Sequence, residues 1–355
     1  MRMRRYLAAE CLVLALMLAG AGLTAHGIVR IARAARARPA PTGWQSVAAL
    51  QGERDPDQVP LPASAQDSAG TFLGLEDDLL IGRLRTQPIV RMKLNKGGSS
   101  LSFRVDLADG SRAAFKPAQT NLQTIPRKEV AAYWVNRMLG LSAVAPAAPR
   151  MVSREEIFSH LHAETLPFLP RIRSEVIFDP RGTTAGVMMY WIPSIKDFGL
   201  DSPGGQAQTA QWLTVGQSIP TERHGLAAQL SDLLVFDFLI GNPDRYTGGN
   251  MMTNDDGTRL YFMDNTLSFF IEPEGNERTR GVLRRAQRFS RRLYEALGRL
   301  TESSVEGTLA QASEGEYEIL TRPEIRALVS RRDYVRKYVD GLIAAYGARE
   351  ILYFP

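Results

Sequence analysis

The sequence predicts an α+β protein of two lobes, preceded by one apolar N-terminal helix. Residues 11–29 are almost wholly apolar, residues 103–116 have the alternation and turn of a β-hairpin, and an apolar helical pattern ends at Gly241. The 355 residues, 44% hydrophobic and 23% charged, are typical of a globular protein. The predicted segments are a basic tail (1–10), a transmembrane anchor or signal helix (11–29), a linker (30–75), an N-terminal lobe (76–193) and a C-terminal lobe (194–355).

The positive charge of the chain belongs to its N-terminal part. Residues 1–38 hold seven arginines and one acid, Glu10, so the rest of the chain has 36 basic and 37 acidic residues. The folded part is therefore nearly neutral, and its charge gives no argument for binding nucleic acid. Cys11 is the single cysteine, so the folded part forms no disulfide and has no thiolate for metal binding or catalysis.

Residues 11–29 have the character of a membrane segment. These nineteen residues would span roughly 28 Å as a helix, about the thickness of a bilayer core. We expect an uncleaved anchor; a cleaved signal peptide is the alternative, because Ala19-Gly20-Ala21 resembles a cleavage site. A buried soluble helix fits poorly with the flanking arginines. Three arginines and the terminal amine precede the span and four arginines follow it, so the positive-inside rule leaves the orientation open.

A β-hairpin is predicted early in the N-terminal lobe. Apolar and polar residues alternate over 103–107, Asp109-Gly110 forms the turn, and the return strand runs to Lys116. Gly97 and Gly98 come just before the hairpin. A glycine pair lets backbone N–H groups approach phosphates closely, although the same pattern is more often an ordinary turn. Lys116 is either a phosphate-binding residue or a solvated lysine at a strand end.

The rest of the N-terminal lobe has one clear helix and one clear strand. Residues 126–140 are predicted to be helical, because proline suits a first helical turn and glycine suits a C-terminal stop. Glu129 lies near the start, where the helix dipole favours an acid even without a function. A buried strand at 183–193 ends in a proline, which we interpret as a hinge between the lobes. Residues 201–208, DSPGGQAQ, are expected to form a loop.

The C-terminal lobe is predicted to contain a helix with a carboxylate on its buried face. Leucines at 226, 230, 233 and 234 form an apolar stripe, and Asp237 continues it. A buried carboxylate needs hydrogen-bond partners. We therefore expect Asp237 to be bonded to the loop at 241–246, through backbone N–H groups or through Arg245.

A candidate metal site follows this helix. Two short strands, 251–253 and 258–263, are predicted to pair around a turn rich in Asn and Asp. In such a hairpin Asn250 and Asp264 lie side by side at the end opposite the turn, with Asp244 on the adjoining loop. Two carboxylates and an amide oxygen suit Mg²⁺ or Mn²⁺, usually alongside substrate phosphates.

The candidate residues match the parts that phosphoryl transfer requires. These parts are a lysine on the phosphates, a glutamate that holds it, a carboxylate that orients the acceptor hydroxyl, and ligands for the metal. Each residue alone is a weak indication, but the ordered set is a strong one. In chain order the set is Lys116, Glu129, Asp244, Asn250 and Asp264.

These motifs resemble those of the atypical secretory-pathway kinases of the Golgi casein kinase and Four-jointed type, which have a protein-kinase-like fold. The resemblance covers roughly residues 90–300, and its most specific block is VFDFLIGNPDR at 235–245. The other matching motifs are AAFKP at 113–117, KEVAAYWVNRMLGL at 128–141, MMYWIP at 188–193 and FMDNTLSF at 262–269.

The resemblance implies an ATP-dependent kinase that uses Mg²⁺ or Mn²⁺. It also implies a role for each matching residue. The implied roles are phosphate binding by Lys116, an ion pair from Glu129 to that lysine, catalytic base for Asp244, metal binding by Asp264 in place of the Asp of the DFG motif and by Asn250, and nucleotide contacts from Gly97, Gly98, Met189, Tyr190 and Trp191.

Three features depart from the family pattern. Asn250 lies six residues after Asp244, whereas many kinases of this fold have the metal-binding Asn five residues after the base. The animal relatives carry disulfides, and this domain has no cysteine with which to form one. Thr266 stands where relatives often have glycine. None of these departures deletes a catalytic group.

The acceptor and the location stay open. We expect protein Ser/Thr as acceptor; the alternatives are a sugar, lipid or other small-molecule kinase, and a catalytically silent nucleotide-binding scaffold at a membrane. Seven arginines within 278–292 form a basic stretch, expected to be helical. It is either a solvated face or a docking surface for an acidic substrate or an anionic membrane. We expect a single-pass membrane protein with the kinase on the luminal or periplasmic side, by family resemblance, or alternatively on the cytosolic side.

Overall fold

The computed structural model describes residues 70–247, 249–313 and 317–355. The predicted segments 1–10 and 11–29, and most of the linker at 30–75, lie outside the described residues, so the N-terminal anchor stays a prediction. None of the helices within the described ranges is both long and apolar enough to cross a bilayer.

An antiparallel sheet of five strands carries the first candidate residues. The strand bounds are β1 (Thr71–Phe72), β2 (Leu75–Glu76), β3 (Ile89–Leu94), β4 (Phe103–Leu107), β5 (Arg112–Pro117), β6 (Ala147–Ser153) and β7 (Thr183–Tyr190). The order in the sheet is β3-β4-β5-β7-β6, while β1 and β2 form a separate pair. The predicted hairpin is confirmed, because β4 pairs with β5. Strand β5 then pairs with β7, and Lys116 lies opposite Val187.

Several helices accompany this sheet. Their bounds are α1 (Asp77–Thr86), α2 (Arg127–Met138), α3 (Arg154–Ser159) and α4 (Leu169–Glu175), with a 3₁₀ helix at Ala163–Phe168. The predicted helix at 126–140 is confirmed by α2, after which Gly140 takes a left-handed conformation with φ of 70°. Helix α2 packs against β6 and β7. This packing places the first turn of α2 beside the central strands.

The second half of the described chain is mostly helical. Its bounds are α5 (Pro203–Trp212), α6 (His224–Ile240), β8 (Met251–Thr253), β9 (Leu260–Phe262), α7 (Glu277–Leu283), α8 (Arg291–Leu297), α9 (Glu302–Ala312), α10 (Arg322–Tyr346) and α11 (Ala348–Ile351), with a 3₁₀ helix at Thr221–Arg223. Thirteen of the seventeen residues of α6 are buried. The reason is that α5, α7, α10 and β9 pack around the helix and enclose nearly all its sides. It ends at Gly241, whose φ of 67° suits a glycine cap.

The prediction of a loop at 201–208 is wrong, because α5 begins at Pro203. Ser202 caps the helix by accepting a hydrogen bond from the backbone N–H of Gly205, and Pro203 occupies the first helical position. The absence of a side chain at Gly205 lets the helix pack closely against the backbone at Gly199, and it does not produce a flexible loop. A Cβ at that position would lie 2.4 Å from the carbonyl oxygen of Gly199.

The basic stretch at 278–292 is not one helix. Helix α7 ends at Leu283 and α8 begins at Arg291, with non-helical chain between them. Arg288, in this connection, is buried and donates hydrogen bonds to the backbone carbonyls of Trp212 and Gln217 at 3.1 and 2.8 Å. One of the seven arginines is therefore a structural residue, and the others do not form a single continuous face.

Candidate active site

The predicted lysine and glutamate meet between the sheet and helix α2. The Nζ of Lys116, near the end of β5, lies 2.8 Å from the Oε1 of Glu129 in the first turn of α2. Their side chains are only 8% and 3% exposed. The helix dipole alone would favour a glutamate at this position. The short contact between two buried, oppositely charged side chains shows in addition a specific ion pair.

Lys116 also contacts the predicted metal ligand. Its Nζ lies 2.8 Å from the Oδ1 of Asp264. Burial alone would lower the pKa of Lys116, but Asp264 and Glu129 raise it above the ordinary value for lysine. Burial alone would raise the pKa of Asp264, and the lysine holds it below the ordinary value for aspartate. Both groups are therefore charged at neutral pH.

Asp264 is held in an unusual backbone conformation. Its φ is 49°, in the left-handed region that non-glycine residues seldom adopt. The hydroxyl of Thr266 donates a hydrogen bond to its Oδ1 at 2.9 Å. Thr266, where relatives often have glycine, thus supplies a hydroxyl that fixes the orientation of the aspartate. The left-handed backbone of Asp264 is a strained conformation of the type that is concentrated at functional sites.

Arg245 links the loop after α6 to the segment that carries Asp264. The arginine is 1% exposed and makes three hydrogen bonds of 2.9 to 3.1 Å to the carboxylate of Asp237. It also donates to the backbone carbonyls of Asn250 and Met263. The prediction that Asp237 is buried and bonded to the 241–246 loop is confirmed.

Asn265 is a site residue that sequence reasoning missed. Its backbone N–H and its side-chain amide donate to the Oε2 of Glu129 at 3.1 and 3.3 Å. Its own Oδ1 accepts from Arg245 at 2.6 Å. An amide suits this position because it can donate to the acid on one side and accept from the arginine on the other. Both partners are distant in the chain, so no local pattern in the sequence indicates this asparagine.

Asp244 and Asn250 lie on the connection between α6 and β8. The backbone N–H of Asp244 donates to the side-chain oxygen of Asn242 at 2.9 Å, and the residue is half-buried. The side-chain amide of Asn250 donates to the backbone carbonyl of Asp244 at 3.1 Å. Pairing of β8 with β9 brings the backbone of Asn250 to Met263, the residue before Asp264.

The donor set fits a divalent cation that is shared with a nucleotide. The side chain of Asp264 is 40% exposed. The side-chain amide of Asn250 donates through its nitrogen to the carbonyl of Asp244, so a cation would be bound through its oxygen. The described residues contain no group of three or more His, Cys, Asp or Glu that would enclose a metal by themselves. One carboxylate and one amide suit Mg²⁺ or Mn²⁺ that takes its other ligands from phosphates and water.

The residues predicted to contact the nucleotide lie on or beside the same sheet. Gly97 and Gly98 lie in the exposed connection between β3 and β4, and the side chain of Gln119 holds the end of that connection through the backbone of Leu101. No hydrogen bond within the described ranges joins the two glycines to Lys116. Their role as phosphate ligands stays a prediction.

Met189 and Tyr190, at the end of β7, face opposite sides of the sheet. Met189 is two residues from Val187, the partner of Lys116, so its side chain lies on the same face as that lysine. Tyr190 lies on the opposite face, and its ring contacts Phe72 at 5.9 Å between centroids. Strand β7 ends at Tyr190, so the predicted strand at 183–193 is shorter than expected. The nucleotide contacts of these residues and Trp191 stay predictions.

Comparison with known proteins identifies the fold. No protein-family model matches the sequence, and the curated proteins gave no match. A crystal structure of the Golgi casein kinase with Mn and ADP bound aligns with a TM-score of 0.59, over 78% of each chain at 16% identity. The structure of hydra Fam20 with sugar aligns with a TM-score of 0.59, over 80% of this chain and 95% of that chain at 17% identity. The predicted resemblance is confirmed at the level of the fold: the chain has the mixed α/β, kinase-like fold of the Golgi casein kinase and hydra Fam20.

Proposed function

We propose that the chain is an ATP-dependent kinase that transfers the γ-phosphate to a hydroxyl group, with protein Ser/Thr as the acceptor. The observation that carries the proposal is the position of Lys116, 2.8 Å from both Glu129 and Asp264. A lysine fixed between a helix acid and a metal-loop acid is the arrangement that protein kinases use for phosphoryl transfer. The kinase-like fold supports it independently.

Each residue then has a defined task. Lys116 binds the phosphates and Glu129 holds its Nζ in place. Asp244 accepts the hydrogen bond of the acceptor hydroxyl and orients it. Asp264 and Asn250 would hold Mg²⁺ or Mn²⁺, and the metal–ATP complex would supply the transferable phosphate together with the cation that offsets its charge.

A sugar hydroxyl is the second candidate acceptor. The solved structure of hydra Fam20, which shares the fold over 95% of its own chain, contains a sugar. The machinery that orients a hydroxyl does not differ between a serine and a sugar, so the loops around the site decide the acceptor. A lipid acceptor and a silent nucleotide-binding scaffold are the other outcomes that the test must separate.

The test measures metal-dependent phosphate transfer by the protein. Radiolabelled ATP with Mg²⁺ or Mn²⁺ is supplied with a Ser/Thr peptide library, a panel of sugars, or lipid vesicles. We expect transfer to peptides, abolished by a chelator and reduced at least about a hundredfold by Asp244→Asn without loss of ATP binding. Asp78→Asn, which changes an exposed acid in α1, is the matched control. ATP binding without transfer to any acceptor would favour the scaffold.

We also propose that residues 11–29 anchor the protein in a membrane, with the kinase on the luminal or periplasmic side. The support is the length and apolar character of this segment and the family resemblance. Intact mass of the purified protein separates an anchor from a cleaved signal peptide. Protease protection in sealed vesicles decides the side on which the kinase lies.

A further inference from the structure

The first turn of α2 carries an unusual run of charges. Arg127, Lys128 and Glu129 are consecutive at the helix N-terminus. The helix dipole favours the acid there but disfavours the two cations. Lys128 is also buried, and burial lowers its pKa to about 8. Two cations that cost free energy at this position require a partner outside α2.

That partner is Glu324 at the start of α10. The two terminal nitrogens of Arg127, Nη1 and Nη2, each donate to one carboxylate oxygen of Glu324 at 2.8 Å. Nη1 also donates to the backbone carbonyl of Ile319 at 2.8 Å. A bidentate arginine–carboxylate pair fixes direction as well as distance. Lys128 lies 3.8 Å from the same glutamate and donates to the backbone carbonyl of Ser268, just beyond Asp264.

Glu324 is itself held rigidly. It is 6% exposed, and its Oε2 accepts hydrogen bonds from the backbone N–H and the hydroxyl of Thr321 at 2.8 and 2.9 Å. The first of these bonds, from the backbone N–H of Thr321, belongs to the capping box of α10. The carboxylate therefore has little freedom to follow α2 if that helix shifts.

The same helix also holds the other half of the site. Arg331 lies seven residues after Glu324, two turns along the same side of α10. It is fully buried and donates to the carbonyl of Leu239, near the end of α6, at 2.7 Å. It donates again to the carbonyls of Phe270 and Glu272, beyond Asp264, at 2.7 and 2.8 Å.

We propose that α10 holds the elements of the active site in position, and that Arg127 and Glu324 are positioning residues for phosphoryl transfer. The Arg127–Glu324 pair fixes the first turn of α2, so that Glu129 stays within reach of Lys116. Both residues act through Glu129. In many kinases the position of the corresponding helix is controlled by phosphorylation, whereas here an ion pair to α10 holds it. The inference rests on the proposed function for its catalytic consequence.

The test combines ATP turnover with amide hydrogen exchange in the full chain. The variants are Arg127→Gln, Arg127→Lys and Glu324→Gln. Lys93→Gln is the control, because Lys93 forms a partly exposed ion pair with Glu164 outside α2 and α10. We expect Arg127→Gln and Glu324→Gln to lower kcat/KM at least about tenfold, since small displacements of positioning groups cost such factors. Exchange of the α2 amides should accelerate, while Arg127→Lys gives an intermediate effect and Lys93→Gln none.

A second arm separates positioning from a general loss of stability. In a Glu129→Ala background, Glu324→Gln should change turnover by less than about twofold, because the group it positions is gone. An undiminished loss in that background, or α2 exchange at the wild-type rate in both Gln variants, overturns the proposal. Should Glu324→Gln fail to fold, Arg127→Gln leaves the capping box intact and gives the same comparison. If the wild-type chain turns over no ATP, the proposed function fails, and the exchange rates alone decide whether α10 holds α2.

Discussion

Two aspartates on helix α6 are buried, and they differ in whether a cation accompanies them. Asp237 has Arg245 against its carboxylate at 2.9 Å. Asp232 is 7% exposed, and its Oδ1 has no hydrogen-bond partner among the described residues. Burial raises the pKa of Asp232 to about 7, and Arg292 offsets only part of this effect. Burial also raises the pKa of Asp237, but the direct contact with Arg245 opposes this effect. The two carboxylates therefore differ in their partners, because Asp237 is bonded to a buried arginine and Asp232 is not.

Asp232→Asn should stabilise the protein at pH 8. In the wild type the folded state keeps a proton on Asp232 up to about pH 7, whereas the unfolded chain loses it near pH 4. The folded state thus binds more protons between these values, and stability falls as pH rises through them. The variant lacks this loss, so the free energy of unfolding should exceed that of wild type by about 1–3 kcal/mol at pH 8 and converge with it near pH 4.

Urea denaturation at pH 4.5, 6 and 8 measures this difference. Asp237→Asn is the matched control, because it leaves the buried charge of Arg245 unpaired and should destabilise the protein by about 3–5 kcal/mol. A gap between Asp232→Asn and wild type that does not change with pH would contradict the assignment of a neutral Asp232.

At this scale the sequence predicts residues whose chemistry is local. Asp237 follows from an apolar stripe and Asp264 from a hairpin, and both lie where the patterns indicate. Asn265 and Glu324 could not be found in this way. Each acts on a residue far away in the chain: Glu324 binds Arg127 across 197 positions, and no local period reports such a contact.

At the level of single elements, helix α5 offers a matched pair of glycines. Gly205→Ala should destabilise the protein by roughly 1–3 kcal/mol, because the new Cβ would lie 2.4 Å from a carbonyl oxygen. Gly204→Ala should be neutral or stabilise by up to about 1 kcal/mol, since alanine favours the helix and meets only a hydroxyl at 3.9 Å. Thermal melts of the two variants check this; equal effects would contradict the close approach at Gly205.

The contact between β5 and α2 gives a second prediction at this level. Lys116→Ala and Glu129→Ala should each reduce kcat/KM strongly, and the double variant should lose little more than either one. The two side chains act as a pair at 2.8 Å, so removal of one already removes the function of the other. A double-mutant cycle on ATP turnover measures the coupling. A loss equal to the full sum of both effects would show that the residues work independently.

Elements with a strong period were predictable, and elements set by capping were less so. The hairpin of β4 and β5 and helices α2 and α6 follow from alternation and apolar stripes. Helix α5 does not, because its glycine pair suggests a loop, while a serine cap, a proline and a close contact specify a helix. The break between α7 and α8 depends on the burial of Arg288, which composition alone presents as one more solvated arginine.

At the scale of the whole molecule, binding of nucleotide and metal should stabilise the fold as a unit. ATP with Mg²⁺ or Mn²⁺ should raise the Tm more than ATP with a chelator, because a ligand that binds only the folded state adds its binding free energy, about 2.7 kcal/mol at a hundredfold excess over Kd. Asp264→Ala should abolish the metal-dependent part of the shift. Its side chain is 40% exposed, so the apo variant should stay folded.

Asn250→Ala tests the second ligand in the same assay. Its longer spacing from Asp244 predicts a smaller loss of the metal-dependent shift than Asp264→Ala causes. Scanning calorimetry with and without metal checks both variants. A shift that metal does not increase, or one that Asp264→Ala leaves unchanged, would argue against a metal-dependent kinase.

The kinase-like fold was predictable because its motifs occur in a fixed order along the chain. Lys116, Glu129 and Asp264 are joined in one cluster, as that order implies. The contacts by which α10 holds the active site were not predictable, because the helices after Asp264 carry no motif. This role is recognised only from the contacts of Arg127 and Arg331.

The position of α10 in the chain also affects how the protein is made. A ribosome synthesises roughly 5–20 residues per second, so β5, α2 and the segment of Asp264 all exist for several seconds before Arg331 does. During that interval the emerging polypeptide lacks the helix that holds Leu239 and Phe270. We therefore expect a nascent chain arrested before residue 324 to be unable to retain ATP, so that nucleotide binding begins only once translation has passed this helix.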